Sequence, residues 1–441
     1  MTGISDVKRL AIAGGPASVE AAEHRSWPDI TAADRLAVDR VLQRGVTAGP
    51  HAPEIRALEE EYADYVGVKY CVATNAGTSS LHAALAAVGV QPGGEVIVPA
   101  YTFVASALAV IHQGATAVFC DVDTRTFNID VSKLEPLITD RTQAIMAVHI
   151  HGQPADLDEI NAIAARHGVA VVEDNSQAHG IRYRGRVTGS IGDAAGASIN
   201  QSKNLSGGEG GLFTSNDEDH ARVARRMVLY GEDVLPDVPR PYWSHGVGWN
   251  YRGQEMVCAL ARSQLRRLDD YNARAQENAA RLTRGLAGLA GLEPPPPPDA
   301  DRGCSYWKYP VRVRPDELGF DGDPRDLRDR IMQALRAEGV EVSIWQPQPV
   351  PAQPVFRRHT QVWHPRTERE RLRPWDPGAF PAASWLCDVS LSLGTVQRPL
   401  YVQRPELMDG YVRAIEKVMA DLDTVLSVPV ERYPRMTDAP C

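Results

Sequence analysis

Cysteine is scarce in this chain. Cys71, Cys120, Cys258, Cys304, Cys387 and Cys441 are the only six in 441 residues, and no two form a Cys-x-x-Cys pair. That excludes a disulfide scaffold and denies a structural zinc site its usual ligand spacing. Reduced, separately buried thiols are the expectation, with no metal. No apolar run approaches the ~20 residues of a membrane span. The first ten residues carry charges and lack the apolar core of a signal peptide. These features predict a cytoplasmic protein with no membrane partner. Positive charge is also in deficit, with 47 Lys plus Arg against 56 Asp plus Glu and a net charge of −9. A mildly acidic surface argues against a nucleic-acid partner. There is no fixed-period repeat, no G-x-G-x-x-G and no P-loop. What remains is the balance of a globular protein, 43% hydrophobic and 23% charged, long enough for two or three lobes.

Residues from 54 to 228 read as strand alternating with helix. Short unbroken apolar runs begin at Glu95, Ala117, Ala144, Val169 and Gly211, the pattern of strands covered on both faces. Between them, Leu81, Ala84, Leu85 and Val88 keep the spacing of one helix face, as do Leu157, Ile160, Ile163 and Ala164. Gly168 follows the second set as a C-terminal cap. The alternation predicts an α/β layered domain over residues 54–265, preceded by an arm at 1–53. Five prolines at 294–298 read as an extended spacer. Beyond it the pattern predicts a strand at 306–313, a helix at 326–338, an extended run at 340–345 and a last helix at 405–422. These belong to a smaller α+β domain, 266–441, carrying an insertion at 357–377 and ending in a frayed tail.

Four segments carry candidate chemistry. At a helix entrance, Gly77, Thr78, Ser79 and Ser80 place hydroxyls beside free N–H groups, where a phosphate or a plain N-cap would fit. At the carboxyl end of an apolar strand stand Glu173 and Asp174, where ligands of α/β sheets gather. Lys203 lies between a predicted strand and the glycines at 207, 208, 210 and 211. A desolvated lysine there has a lowered pKa and can form a Schiff base; an exposed lysine beside a hairpin is the alternative. His149 and His151, two apart on a predicted strand, would face one way. No acidic or cysteine ligand lies nearby in sequence, so one buried, hydrogen-bonded histidine is expected rather than a metal pair.

The order of these motifs is more informative than any one of them. Asn-Ala-Gly-Thr-Ser-Ser from Asn75, Val-Pro-Ala-Tyr-Thr-Phe from Val98 and Val-His-Ile-His-Gly from Val148 come first. Glu-Asp-Asn-Ser-Gln-Ala-His-Gly from Glu173 and Ser-Lys-Asn-Leu-Ser-Gly-Gly-Glu-Gly-Gly from Ser202 follow. Together they resemble the sugar and cyclitol aminotransferases of the DegT–DnrJ–StrS family, which use pyridoxal 5′-phosphate. The resemblance implies the aspartate aminotransferase-like fold type I: a large three-layer α/β domain with a mainly parallel sheet and a smaller C-terminal α+β domain. It makes Lys203 the Schiff-base lysine and proton shuttle, and sets Asp174 against the pyridine nitrogen. Gln177 matches a residue near the ring hydroxyl, and Phe103 an aromatic on the ring face. Gly77, Thr78, Ser79 and Ser198 match the phosphate cradle, and His151 stands near the substrate. Asn250 matches a phosphate ligand given across a homodimer interface.

The implied activity moves an amino group from glutamine or glutamate to a keto group on a cyclitol or sugar, in the biosynthesis of a secondary metabolite such as an aminoglycoside-like antibiotic. Two alternatives stand beside it. A sugar dehydratase on the same cofactor is disfavoured because the best-known ones replace the lysine by histidine. A non-catalytic regulator is disfavoured by the joint presence of Lys203, Asp174 and Gln177. The chain departs from many relatives in having Pro351 where they have a histidine, which leaves the acceptor open. The opening Leu10-Ala-Ile-Ala-Gly-Gly-Pro is nearer to cyclitol and aminohydroxybenzoate relatives.

Overall fold

The computed structural model describes residues 9–235, 238–357 and 376–431. The predicted insertion at 357–377 falls almost wholly outside these residues, as does the tail beyond 431. Nine strands come first: β1 (Tyr70–Thr74), β2 (Glu95–Pro99), β3 (Thr116–Cys120), β4 (Thr142–Val148), β5 (Ala170–Asp174), the small hairpin β6 (Arg182–Tyr183) and β7 (Arg186–Val187), β8 (Ala194–Ser198) and β9 (Gly211–Ser215). All but the hairpin form a seven-stranded sheet in the order β1-β9-β8-β5-β4-β2-β3. The pairs from β8 through β5, β4 and β2 to β3 are parallel, while β9 runs antiparallel to both its neighbours.

The apolar runs explain the layering. Successive side chains of a strand point to opposite faces. In β4, Ala144, Met146 and Val148 join the helices Gly77–Ala87 and Val104–His112 on one face. Ile145 and Ala147 meet the Leu157–His167 helix on the other. That helix is specified throughout: Asp158 and Glu159 sit in its first turn, Arg166 and His167 in its last, and Gly168 caps it at φ 64°.

A second sheet follows, built from β10 (Leu292–Glu293), β11 (Tyr309–Val313), β12 (Val342–Ser343) and β13 (Ser390–Leu393), all antiparallel in the order β10-β11-β13-β12. It shares a core with the helices Leu268–Leu286, Pro324–Ala337 and Pro405–Met419. The N-terminal segment is pinned to this part, since Ala11 N and Ser18 N donate to the Glu338 carboxylate. Buried Trp27 packs edge-on against Tyr271 and Tyr401.

Several boundaries differ from the sequence expectation. The strand predicted at 306–313 starts only at Tyr309, because Tyr306 has φ 46° and turns the chain. The extended run at 340–345 pairs only at Val342 and Ser343. The last helix stops at Met419 and a new one begins at Leu422. The proline run is partly docked, with the Pro294 carbonyl accepting from Arg312.

Candidate active site

Parallel strands end on one edge, and the candidate residues collect there. The helix entrance at Gly77 is brought down onto β8 by glycines on both partners. A Cβ on Gly77 would lie 2.5 Å from Cβ of Ser198, and one on Gly196 would lie 2.7 Å from the backbone N of Leu81. Only small residues, Ala-Ala-Gly-Ala-Ser, allow that approach. No side chain caps this helix at Ala76, so its leading N–H groups are left for another acceptor. Ser79 donates to Asn75 Oδ1 at 2.7 Å, and Thr78 is half-buried.

From Ser198 the chain of contacts runs inward. Ser198 N donates to Ser176 Oγ at 3.1 Å, and Ser176 N donates to Asp174 Oδ1 at 3.1 Å. Ser106 donates to Asp174 Oδ2 at 2.7 Å. The neighbouring acid has a different task. Glu173, wholly buried, accepts from the backbone of Gly189, Ile191 and Gly192 and from His149. Burial pushes its carboxyl up, but these hydrogen bonds outweigh that and hold it below the usual range. Glu173 therefore ties the sheet to the following loop, leaving Asp174 as the acid that faces the site.

Lys203 is buried, and its Nζ lies 4.2 Å from the centroid of the Trp307 ring. Burial lowers its amine to about 8, with Asp174 opposing the shift. His179 accompanies it: burial takes the imidazole down to about 4, the Ser198 carbonyl opposes this, and Lys203 adds to it. That ring is held between Tyr62 Oη and the Ser198 carbonyl, both at 2.8 Å.

The two histidines of the His149-Ile-His151 segment do not share a strand face. β4 ends at Val148, and Ile150–Gly152 is a 3-10 turn with His151 at φ 58°. The turn sends the side chains apart. His149 is the buried, hydrogen-bonded histidine of the sequence expectation. His151 is buried too, but neither ring nitrogen has a hydrogen-bond partner. Among the described residues, no group of three or more His, Cys, Asp or Glu is placed to hold a metal.

Gln177 is buried, and its Oε1 accepts from His151 N at 2.7 Å. Phe103 stands at the start of the helix after β2 and is half-exposed, at 53%. Asn250 lies further out. Its side chain is exposed and accepts from Arg252, while its carbonyl accepts from Asn75 of the same chain at 3.3 Å. The segment around Pro351 is buried, and Val350 N donates to the Ala100 carbonyl, which seats it beside the β2 end.

Sequence reasoning missed Ser106, Ser176, His179, Trp307 and Lys308. Ser106 could have been found from its place one turn into the helix after Tyr-Thr-Phe. Trp307 and Lys308 carry no local signal, because they arrive from the bend that leads into the second sheet.

The model of the DegT/DnrJ/EryC1/StrS aminotransferase family matches residues 28–371. The chain belongs to that family. It is 32% identical over 428 residues to an L-glutamine:2-deoxy-scyllo-inosose aminotransferase of Micromonospora echinospora, covering 93% of this chain and 98% of that one. It is 42% identical over 285 residues to the GDP-perosamine synthase of Caulobacter vibrioides, covering 64% and 74%. Among solved structures, an aminotransferase from Psychrobacter cryohalolentis aligns with a TM-score of 0.79 at 32% identity, over 91% of this chain and all of that one. The protein is a pyridoxal 5′-phosphate-dependent aminotransferase with the fold type I architecture. The site fits the cofactor on its own terms: an uncapped helix N-terminus for a phosphate, a carboxylate at a strand end for a ring nitrogen, and a buried amine within reach of that carboxylate's charge, with no acid bonded to it among the described residues.

Proposed function

We propose that this aminotransferase moves an amino group from glutamine or glutamate to the keto group of a cyclitol, with a sugar as the second acceptor class. The observation that carries the cyclitol reading is the near-full-length match to a scyllo-inosose aminotransferase, and comparable matches to nucleotide-sugar aminotransferases keep the sugar as the second acceptor class. A place in antibiotic or other secondary metabolism agrees with it. The cofactor, when bound, supplies an electron sink at the carbon bearing the transferred nitrogen.

The chain's own residues do the rest. Lys203 Nζ would hold the cofactor's aldehyde and, when free, would carry the proton away from the donor's α-carbon. Burial brings this amine down to about 8, close enough to physiological pH that a minor neutral fraction is available for the task. Asp174, held by Ser106 and Ser176, keeps the ring nitrogen protonated. Gly77, Thr78, Ser79 and Ser198 hold the phosphate. Gln177 meets the ring hydroxyl, Phe103 covers the ring face, and His151 borders the substrate. The cofactor belongs to a large domain, residues 54–265, between the arm at 1–53 and a small domain at 266–441.

The working form is a homodimer in the cytoplasm, with Asn250 reaching the partner's phosphate. Exposed Leu235, Val238, Tyr242, Trp243 and Val247 support an interface beside Asn250, since so many exposed apolar side chains on one segment mark a contact surface. Among the described residues, no helix is long and apolar enough to cross a membrane.

The test is a screen of keto-cyclitols and nucleotide-linked keto-sugars with glutamine or glutamate, following amine formation by mass spectrometry. Borohydride reduction and peptide mapping should place the phosphopyridoxyl mass on Lys203. Amination of nucleotide-linked sugars alone would overturn the cyclitol reading, and a label on another lysine would overturn the site.

A further inference from the structure

A second lysine lies beside the first. Lys308 is 4% exposed, and its Nζ is 5.3 Å from the same Trp307 ring that Lys203 approaches. An ammonium has three N–H donors. Here the one hydrogen bond among the described residues is a long one, 3.4 Å to the Gly394 carbonyl. Burial, and then Lys203, lower its amine to about 8, so most of it is charged at neutral pH. Buried charges are normally paired, and among the described residues no carboxylate pairs with this one.

His151 borders the same place. Its ring is walled by Tyr101, Phe127 and Trp345, at centroid distances of 6.0, 5.0 and 4.9 Å. Both ring nitrogens are buried and lack a partner, although its backbone is held in the left-handed region by the Gln177 bond. Burial, and then Lys308, lower its pKa to about 3, so it is a neutral imidazole with one N–H to give. Lys308 and His151 are linked through the packed Trp307 and Trp345 rings, 5.6 Å apart, and among the described residues the Gly394 carbonyl is the one acceptor their side chains find.

We infer that Lys308 and His151 form the subsite for the α-carboxylate of the amino donor. This rests on the transaminase reading above and adds to it. The location decides between the anions a substrate could bring. Both lysines contact the one Trp307 ring, at 4.2 and 5.3 Å from its centroid, which favours an anion carried near the carbon whose nitrogen is exchanged. An α-carboxylate is bonded to that carbon. The phosphate of a nucleotide-linked sugar is several bonds from its keto carbon and would overshoot. The pairing also explains how one pocket serves two substrates. A carboxylate neutralises the second lysine in the donor half-reaction, and a polyhydroxylated ring can give hydroxyls to His151 in the other.

The test compares two ligands on the holoenzyme by calorimetry, both lacking an α-hydrogen and so unable to transaminate: L-2-methylglutamine and the alcohol in which its carboxylate is reduced. The wild-type protein should prefer the carboxylate by about tenfold or more, as a charged hydrogen bond implies. Lys308→Met should abolish most of that ratio. Lys308→Arg should keep part of it, and Lys308→Gln, which stays polar without the charge, guards against a misfolded Met variant. His151→Phe should reduce the ratio less, since a neutral donor is lost. A ratio unchanged in both Lys308→Met and Lys308→Gln, with normal circular dichroism, overturns the assignment. So does a loss of affinity for a nucleoside diphosphate that spares the carboxylate ligand, which would make phosphate the anion. If the wild-type protein binds its cofactor but transfers nitrogen from no α-amino acid, the transaminase reading fails instead.

Discussion

Replacing Lys203 by methionine should make the apoenzyme more stable while ending its catalysis. The amine's ordinary pKa is 10.5 and burial brings it to about 8 in the folded protein. At about 1.4 kcal/mol per unit, that difference corresponds to about 3 kcal/mol against the folded state whenever both forms are protonated. The contact with Trp307 at 4.2 Å works the other way, by about 0.5–2 kcal/mol. Burial outweighs that contact, so Lys203→Met should gain about 1–3 kcal/mol at pH 7. The pH dependence gives the sharper test. Below about 8 the lysine is charged folded and unfolded, and the penalty is complete. Between about 8 and 10.5 the folded protein releases the proton while the unfolded chain keeps it, so wild-type stability rises with pH. The advantage of the variant should therefore shrink steadily across that window. Urea denaturation of both apoproteins at pH 7, 8, 9 and 10 measures it. A variant less stable than wild type at pH 7, or a difference that stays flat to pH 10, would refute the reasoning.

Gly196→Ala should push the Gly77–Ala87 helix off β8, because the new Cβ meets Leu81 backbone at 2.7 Å. A stability loss of about 1–3 kcal/mol and a raised cofactor dissociation constant should appear together in denaturation and titration experiments. Ser106→Ala removes a 2.7 Å bond to the Asp174 carboxylate, and should weaken cofactor binding by about 1.5–3 kcal/mol; unchanged affinity would show that Asp174 needs only Ser176. Mixing Asn250→Ala subunits with Lys203→Ala subunits should restore activity through heterodimers that carry one intact site. No recovery would place Asn250 with its own chain's phosphate, where its carbonyl already lies beside Asn75.

The parallel strands were legible because burial on both faces writes itself as unbroken apolar runs. β8 shows the limit of that signal. Its residues are Ala-Ala-Gly-Ala-Ser, which have low strand propensity and no apolar bulk. They stand there because a helix entrance must come within contact of the strand end, so the demand of the site overrides the pattern that announces a strand. The same holds at His149-Ile-His151, where alternation suggested a strand. Gln177 bonds the His151 amide and stabilises a turn that no local pattern shows.

The site itself was legible in proportion to how locally it is encoded. Lys203 and Asp174 each sit in a run whose order matches relatives, and Gly77 and Ser198 mark a helix entrance. Trp307 and Lys308 come from the bend just before β11, which belongs to a different sheet, and sequence distance hides their approach to Lys203. A lysine inside Ser-Tyr-Trp-Lys-Tyr-Pro reads as a surface residue that punctuates an apolar strand. It is instead one of the least exposed cations among the described residues, and burying it without a carboxylate has an energetic cost that packing does not explain. Where a fold keeps such an arrangement, the balancing charge must come with something that enters and leaves. That is the physical ground for reading Lys308 as part of the donor pocket, and it is a reading only the folded chain makes available.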